Sequence, residues 1–164
     1  MRTNNGKAKN VIISVYFILI VLAILLATVF SAFSKLTTNP VLTFLIILLG
    51  FIVVFAVVHW ISRYFEYDSD GVKVVILNRG LLLADHFNYR EHQIEFAKED
   101  LRAFKFNNYI IYKTLVLYIQ TTKGRNIKEV FNVTLVSRKK RKYIKQSLSK
   151  MIKYNRKLKL EIND

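Results

Sequence analysis

Two stretches decide the architecture: Val11 to Phe33, VIISVYFILIVLAILLATVFSAF, and Val41 to Ser62, VLTFLIILLGFIVVFAVVHWIS, neither with a fixed charge. At about 1.5 Å per residue the first reaches ~34 Å as a helix, enough to cross a hydrocarbon core of about 30 Å. Between them runs Ser34-Lys35-Leu36-Thr37-Thr38-Asn39-Pro40, a polar turn that closes on the only proline of the chain. Proline suits the first turn of a helix, where its missing N–H has no partner to lose. The expected plan is a transmembrane hairpin of helices 11–33 and 41–62 joined by the short loop 34–40.

Two other readings compete for the hairpin. A cleaved signal peptide would share the basic start and the small residues at Ser31-Ala32, but its apolar core is shorter, at about 7–15 residues, and here a second span follows at once. A soluble helical hairpin would need a polar face on each helix, and neither stretch has one.

Charge is divided as sharply as hydropathy. The 164 residues carry 26 Lys and Arg against 11 Asp and Glu, a formal net charge of +15, yet 52% are hydrophobic. Every acidic residue follows position 65, while the first 62 residues hold only Arg2, Lys7, Lys9 and Lys35 as fixed charges. The positive-inside rule then places the tail 1–10 and everything after residue 62 in the cytoplasm, with the 34–40 loop outside. His59, Trp60 and Tyr64 fall at the exit of the second span, where amphipathic rings favour the headgroup layer. With no cysteine, neither a disulfide framework nor a thiolate metal site is available.

From residue 63 the texture becomes short β-type runs punctuated by turns. Arg63 to Tyr67 alternates, Asp68-Ser69-Asp70-Gly71 is a turn, and Val72 to Leu77 is a β-branched strand. Asn78-Arg79-Gly80 reads as the next turn, with Leu81-Leu82-Leu83 opening another strand. His92 to Phe96 and Arg102 to Phe106 flank Ala97-Lys98-Glu99-Asp100. Tyr109 to Tyr112 and Thr114 to Thr121 are β-prone, and Thr122-Lys123-Gly124-Arg125 turns into Ile127 through Val133. Ser137 is a fair N-cap for a final helix from about Arg138 to Asn155, in which Ile144, Leu148, Met151 and Ile152 recur at helical spacing. The fold class expected is α+β: the hairpin, then six or seven antiparallel strands over 63–155 with a closing amphipathic helix, and a polar tail 156–164.

This order of parts resembles the bacterial pleckstrin-homology-like domain over roughly residues 62 to 155. The likeness is carried by Glu66-Tyr67-Asp68-Ser69-Asp70-Gly71-Val72, by Asn78-Arg79-Gly80-Leu81-Leu82, and by the closing helix. It implies a bent antiparallel barrel capped by a helix, a bacterial inner-membrane location, and a binding or assembly module with no reaction of its own.

The residues point the same way on chemistry. Asp85, His86, Glu91 and His92 form the one acid–histidine cluster, but their spacing matches no metal motif and they read as solvated polar positions. Glu99-Asp100 reads as balancing Lys98 and Arg102. No phosphate-cradling glycine loop or nucleophile elbow occurs, so neither catalytic residues nor a cofactor or metal is expected. Tyr109, Tyr112, Tyr118, Phe104 and Phe106 read as barrel core rather than as a groove lining.

Basic charge is the stronger signal. Arg138-Lys139-Lys140-Arg141-Lys142 is followed by Lys145, Lys150, Lys153, Arg156, Lys157 and Lys159, with no acid between Glu129 and Glu161. On a helix, Lys139, Lys142, Lys145 or Gln146, Ser149 and Lys153 fall opposite the Ile144–Leu148–Met151 stripe, and Lys139, Lys142, Lys145, Lys150 and Lys153 are the candidate lipid-binding residues. Three partners compete: anionic lipid of the inner leaflet, at about 1 kcal/mol per cation; nucleic acid, disfavoured by the tether and by the lack of aromatics interleaved with the cations; or no partner, the charge serving topology and solubility. The functional expectation is a non-enzymatic membrane-anchored module that binds anionic headgroups or a protein partner, a second copy included. The alternative is a structural subunit of a membrane complex.

Overall fold

The computed structural model describes residues 1–33, 39–81, 91–120 and 124–163. The chain divides into two compact units, residues 7–61 and a second built from residues 1–6 together with 62–164.

The first unit is the helical pair, α1 (Ala8–Phe33) and α2 (Pro40–Ile61), both long and apolar enough to cross a membrane. Asn39 starts α2 in the expected way: its side-chain oxygen accepts from the Leu42 N–H at 3.2 Å, and Pro40 occupies the first helical position. Tyr16 of α1 stacks on Phe55 of α2 with ring centroids 5.6 Å apart. No residue of α2 is buried, and Leu45, Ile46, Leu49 and Val53 are each more than half exposed. Residues 34–38 of the connecting loop lie outside the described residues.

The second unit is α+β. One antiparallel sheet has the order β1-β2-β3-β4, with β1 (Arg2–Asn4), β2 (Arg63–Asp68), β3 (Lys73–Gly80) and β4 (His92–Ala97). The other has the order β5-β6-β7, with β5 (Leu101–Asn108), β6 (Lys113–Gln120) and β7 (Asn126–Asn132). Helix α3 (Arg138–Asn163) closes the chain, started by Ser137, whose hydroxyl accepts from the Lys140 N–H at 3.4 Å.

The bent antiparallel barrel that the resemblance implies is not closed: the strands form two small sheets. Between β4 and β5 the chain makes a single 3-10 turn, Lys98–Asp100, then a bulge between Leu101 and Ala103, and so leaves one sheet for the other. Phe65, Tyr67, Val74 and Ile76 from the first sheet meet Leu115, Leu117 and Phe131 from the second in one core, which Ile144 and Leu148 of α3 complete, all of them essentially inaccessible. At about 25 cal/mol per Å² of apolar area removed from water, this burial drives the closure of the two sheets on each other.

Three buried asparagines fasten what the strand ladders do not. Asn5 trades hydrogen bonds with β2: its amide donates to Arg63 O at 2.9 Å, and its oxygen accepts from Phe65 N–H at 2.8 Å. Asn78 joins the two sheets, donating to Tyr64 O and Asn132 O at 3.0 Å each and accepting from Asn132 N–H at 3.3 Å. Asn155 ties α3 to the 3-10 turn by donating to Lys98 O, Glu99 O and Leu101 O at 2.8, 3.2 and 3.1 Å. Replacing Asn155 with alanine strips those carbonyls of their donor, at an expected cost of about 2 kcal/mol. Hydrogen exchange over 145–160 should then quicken while β6 amides keep their protection; unchanged exchange in the helix would remove Asn155 from this role.

Four further expectations need correction. Residues 156–163 are not a polar tail but the continuation of α3, which runs to Asn163. Residues 2–4 are not tail but an edge strand, because β2 has a free edge and Asn5 secures the entry. Asn78-Arg79-Gly80 is not a turn, since β3 runs through it with Tyr64 opposite Arg79 and Arg63 opposite Gly80. Tyr109 to Tyr112 is not strand but the tip of the β5–β6 hairpin, closed by Tyr109 N–H donating to Tyr112 O at 2.9 Å. The predicted strand at Leu82-Leu83, together with Asn88 to Arg90, lies outside the described residues, as do Thr122 and Lys123 of the predicted turn; Gly124, with φ of 76°, has the left-handed backbone such a turn asks of glycine.

Candidate functional site

The basic residues line a groove between two elements and continue from it along one face of α3. Where the first turns of α3 run beside the end of the β5–β6 hairpin, Phe106, Asn108 and Lys113 face Arg138, Arg141, Lys142 and Lys145 across an open groove of about 550 Å³. The strand register brings the hairpin's share together, pairing Asn108 with Lys113 as the last rung of the β5–β6 ladder. Lys113 is held in place by its backbone, which accepts from Val133 N–H through its carbonyl at 2.9 Å and donates to Thr134 Oγ1 at 3.0 Å.

Helix α3 supplies the rest because its apolar positions are already committed. Ile144 and Leu148 are buried in the core, which points Lys142, Lys145, Lys150 and Lys153 outward. A second open depression of about 570 Å³ continues along the helix, lined by Lys142, Lys145, Gln146, Ser149, Lys150 and Lys153. Arg141 is half-buried and donates to Val136 O at 2.6 Å. Burial, and then the neighbouring charge of Arg138, lower its pKa from the ordinary arginine value.

Four of the five sequence candidates therefore line this basic track. Lys139 does not; it is exposed and lies 6.0 Å from the Tyr143 ring. Lys140 turns to the other side, donating to the Asn4 carbonyl of β1. Lys113, Arg138 and Arg141 were not singled out by sequence. Arg138 and Arg141 stood in the visible basic run, whereas Lys113 joins them only through the β5–β6 pairing.

The acid–histidine cluster does not assemble among the described residues. Asp85 and His86 lie outside them, Glu91 is exposed, and His92 Nε2 sits 2.8 Å from Glu129 Oε2 with its ring 4.9 Å from Phe131. That pair links β4 to β7. No group of three His, Asp or Glu able to hold a metal occurs among the described residues. Glu99-Asp100 forms the 3-10 turn gripped by Asn155. Of the aromatics expected in the core, Phe104 and Phe106 pack against it, but Tyr109 and Tyr118 are 49% and 39% exposed.

A second polar cluster lies on the β1–β2 edge. Glu66 accepts from Arg2 Nε at 2.7 Å and from the Tyr64 hydroxyl at 2.8 Å, and the Arg79 guanidinium lies 5.0 Å above the Tyr64 ring. Burial, with the Glu66 hydrogen bond and charge behind it, pushes the Tyr64 phenol up to about 12. A phenol whose folded pKa is raised lends stability that is whole below the unfolded value of about 10 and is lost as pH climbs toward 12. The unit should weaken between those pH values, and Tyr64→Phe should flatten that part of the stability profile. An unchanged alkaline profile in the variant would show that Tyr64 does not carry the dependence.

No protein-family model, curated protein or solved structure matches the chain.

Proposed function

We propose that this chain is a membrane-anchored binding module, non-enzymatic, whose basic groove docks on anionic lipid headgroups at the face of the membrane its own helices span. One observation carries the reading: Lys113, Arg138, Arg141, Lys142 and Lys145 converge on one open groove from two separate elements, and among the described residues no acidic side chain lines it. Cations gathered this way repel one another, and that arrangement is stable against an anionic surface, where each contributes about 1 kcal/mol.

The anchor is argued from α1 and α2. Helices with apolar side chains exposed on all sides would be costly in water, and lipid removes the cost. The excess of Lys and Arg at the N-terminus and after residue 62 supports a cytoplasmic groove, and the bacterial inner membrane is proposed on the pleckstrin-homology-like resemblance alone. The chain passes from α2 to β2 through Ser62 alone, so a short connection serves the docking. The pleckstrin-homology-like reading is kept as a proposal on the order of parts, two small antiparallel sheets and a closing helix.

The test uses the full chain in lipid nanodiscs, because a fragment starting at residue 63 would lack β1 and Asn5. Ser149→Cys introduces a single cysteine for a donor dye beside the groove, and the acceptor sits on lipid headgroups. Energy transfer should be high in discs containing phosphatidylserine at low salt, and should fall in 1 M salt or in phosphatidylcholine alone, as screening requires. Transfer indifferent to both lipid charge and salt would leave the basic track to topology and solubility, the structural-subunit reading.

A further inference from the structure

The β5–β6 hairpin ends in Tyr109-Ile110-Ile111-Tyr112, and this tip does the opposite of what apolar residues do in a folded domain. Ile110 is 105% exposed, as open as in an extended peptide, and Ile111 is 58% exposed. The tip is nonetheless ordered by its own contacts. Tyr109 and Tyr112 stack with centroids 4.6 Å apart and planes at 21°, and the Tyr109 N–H closes the turn on Tyr112 O. The turn thus holds two isoleucines out where nothing among the described residues covers them.

What stands behind the tip says what covers it. The residues immediately flanking it, Asn108 and Lys113, belong to the basic groove, with Arg138, Arg141 and Lys142 across from them. Moving from the tip inward, the chemistry runs from branched aliphatic to tyrosine to lysine and arginine. An anionic bilayer, taken from its interior outward, has the matching sequence: acyl chain, then the interfacial layer that favours amphipathic rings, then the anionic headgroups that attract cations. A soluble protein partner would have to offer an apolar socket ringed by acids, whereas an anionic bilayer offers the whole gradient at once.

We infer that the Tyr109–Tyr112 tip is a lipid-inserting wedge: Ile110 and Ile111 enter the acyl region of the bilayer, the two tyrosines stop at the interface, and the basic groove settles on the headgroups. The inference rests on the proposed docking and adds depth, since electrostatic attraction alone would leave the tip in water.

The absence of native cysteine makes the test clean. Ile110→Cys, at a side chain with no packing to lose, is labelled with nitrobenzoxadiazole in the full chain, one copy per nanodisc. In discs containing phosphatidylserine, emission should rise several-fold, iodide in the water should quench poorly, and doxyl groups on the acyl chains should quench well. In phosphatidylcholine discs the label should stay wet. If the Ser149→Cys dye reports docking while the label at 110 remains open to iodide, insertion is wrong and docking stands. If neither label responds, both fall. If shielding at 110 appears only with two copies per disc, a second chain covers the tip and the lipid wedge is overturned. Pairing Ile110→Ser with Ile111→Ser should leave salt-sensitive docking in place but remove the residual energy transfer from the Ser149→Cys dye that persists in 1 M salt.

Discussion

Replacing Asn78 with leucine should lower the stability of the two-sheet unit by about 3–5 kcal/mol, although the two side chains are nearly the same size. Asn78 is 2% exposed and makes three hydrogen bonds, two as donor to Tyr64 O and Asn132 O and one as acceptor from Asn132 N–H. Asn78 therefore offers β7 the donor and acceptor of a strand's backbone, at a corner where the two ladders do not pair. Leucine would leave the Asn132 carbonyl and N–H unpaired, at about 1–3 kcal/mol each, and would take from Tyr64 O the donor it has beyond the β2–β3 ladder. For a unit of this size that corresponds to a fall in Tm of roughly 12 °C or more, read by near-ultraviolet circular dichroism of the detergent-solubilised chain. Asn78→Asp sharpens the test, because a carboxylate would face two carbonyl oxygens. Its folded pKa would be raised, so stability should be partly regained on acidification and lost again as pH rises through that pKa. A leucine variant as stable as the parent would show that the sheets are joined by core packing alone.

Neutralising the groove should have the largest effect on binding. Lys113→Gln, Lys142→Gln and Lys145→Gln together remove three cations worth about 1 kcal/mol each near an anionic surface, or about 100-fold in the docking equilibrium. None of the three side chains supports the core: Lys142 and Lys145 are exposed, and Lys113 makes its structural bonds through its backbone. The control is the same charge change at Lys105, Arg125 and Lys128, exposed residues that line neither depression. Energy transfer from the Ser149→Cys dye should collapse in the first triple variant and persist in the second. Equal losses in both would mean that total charge, not the groove, attracts the membrane, and equal persistence would dismiss electrostatics.

The elements legible in sequence are those whose signal is local. Long uncharged runs gave α1 and α2 to within a few residues, and Ser137 with the Ile144–Leu148 spacing gave α3, which runs to Asn163 rather than ending near Asn155. Most strands followed from β-branched and aromatic runs between turns. What escaped depends on partners distant in the chain. Arg2–Asn4 has no strand signal of its own and becomes one by pairing with residues 66–68. Asn78 and Gly80 look like a turn until Tyr64 and Arg63 are placed opposite Arg79 and Gly80. Tyr109 to Tyr112 has strong β propensity, but propensity measures fit to a pleated, half-buried surface, and here the chain had to reverse between Asn108 and Lys113. The site was half visible for the same reason. The cations of α3 announce themselves in the run 138–153, while Lys113 and the apolar tip reach them through strand register.

Everything proposed for the groove presupposes that α1 and α2 lie within lipid. The most direct measurement is to extract membranes of cells expressing the full chain with alkaline carbonate and locate the protein by immunoblot. Helices that span the bilayer predict that the chain stays with the sedimented membranes and leaves only with detergent. Release into the carbonate supernatant would contradict the account, because it would mean that residues 8–33 and 40–61 are not held by lipid.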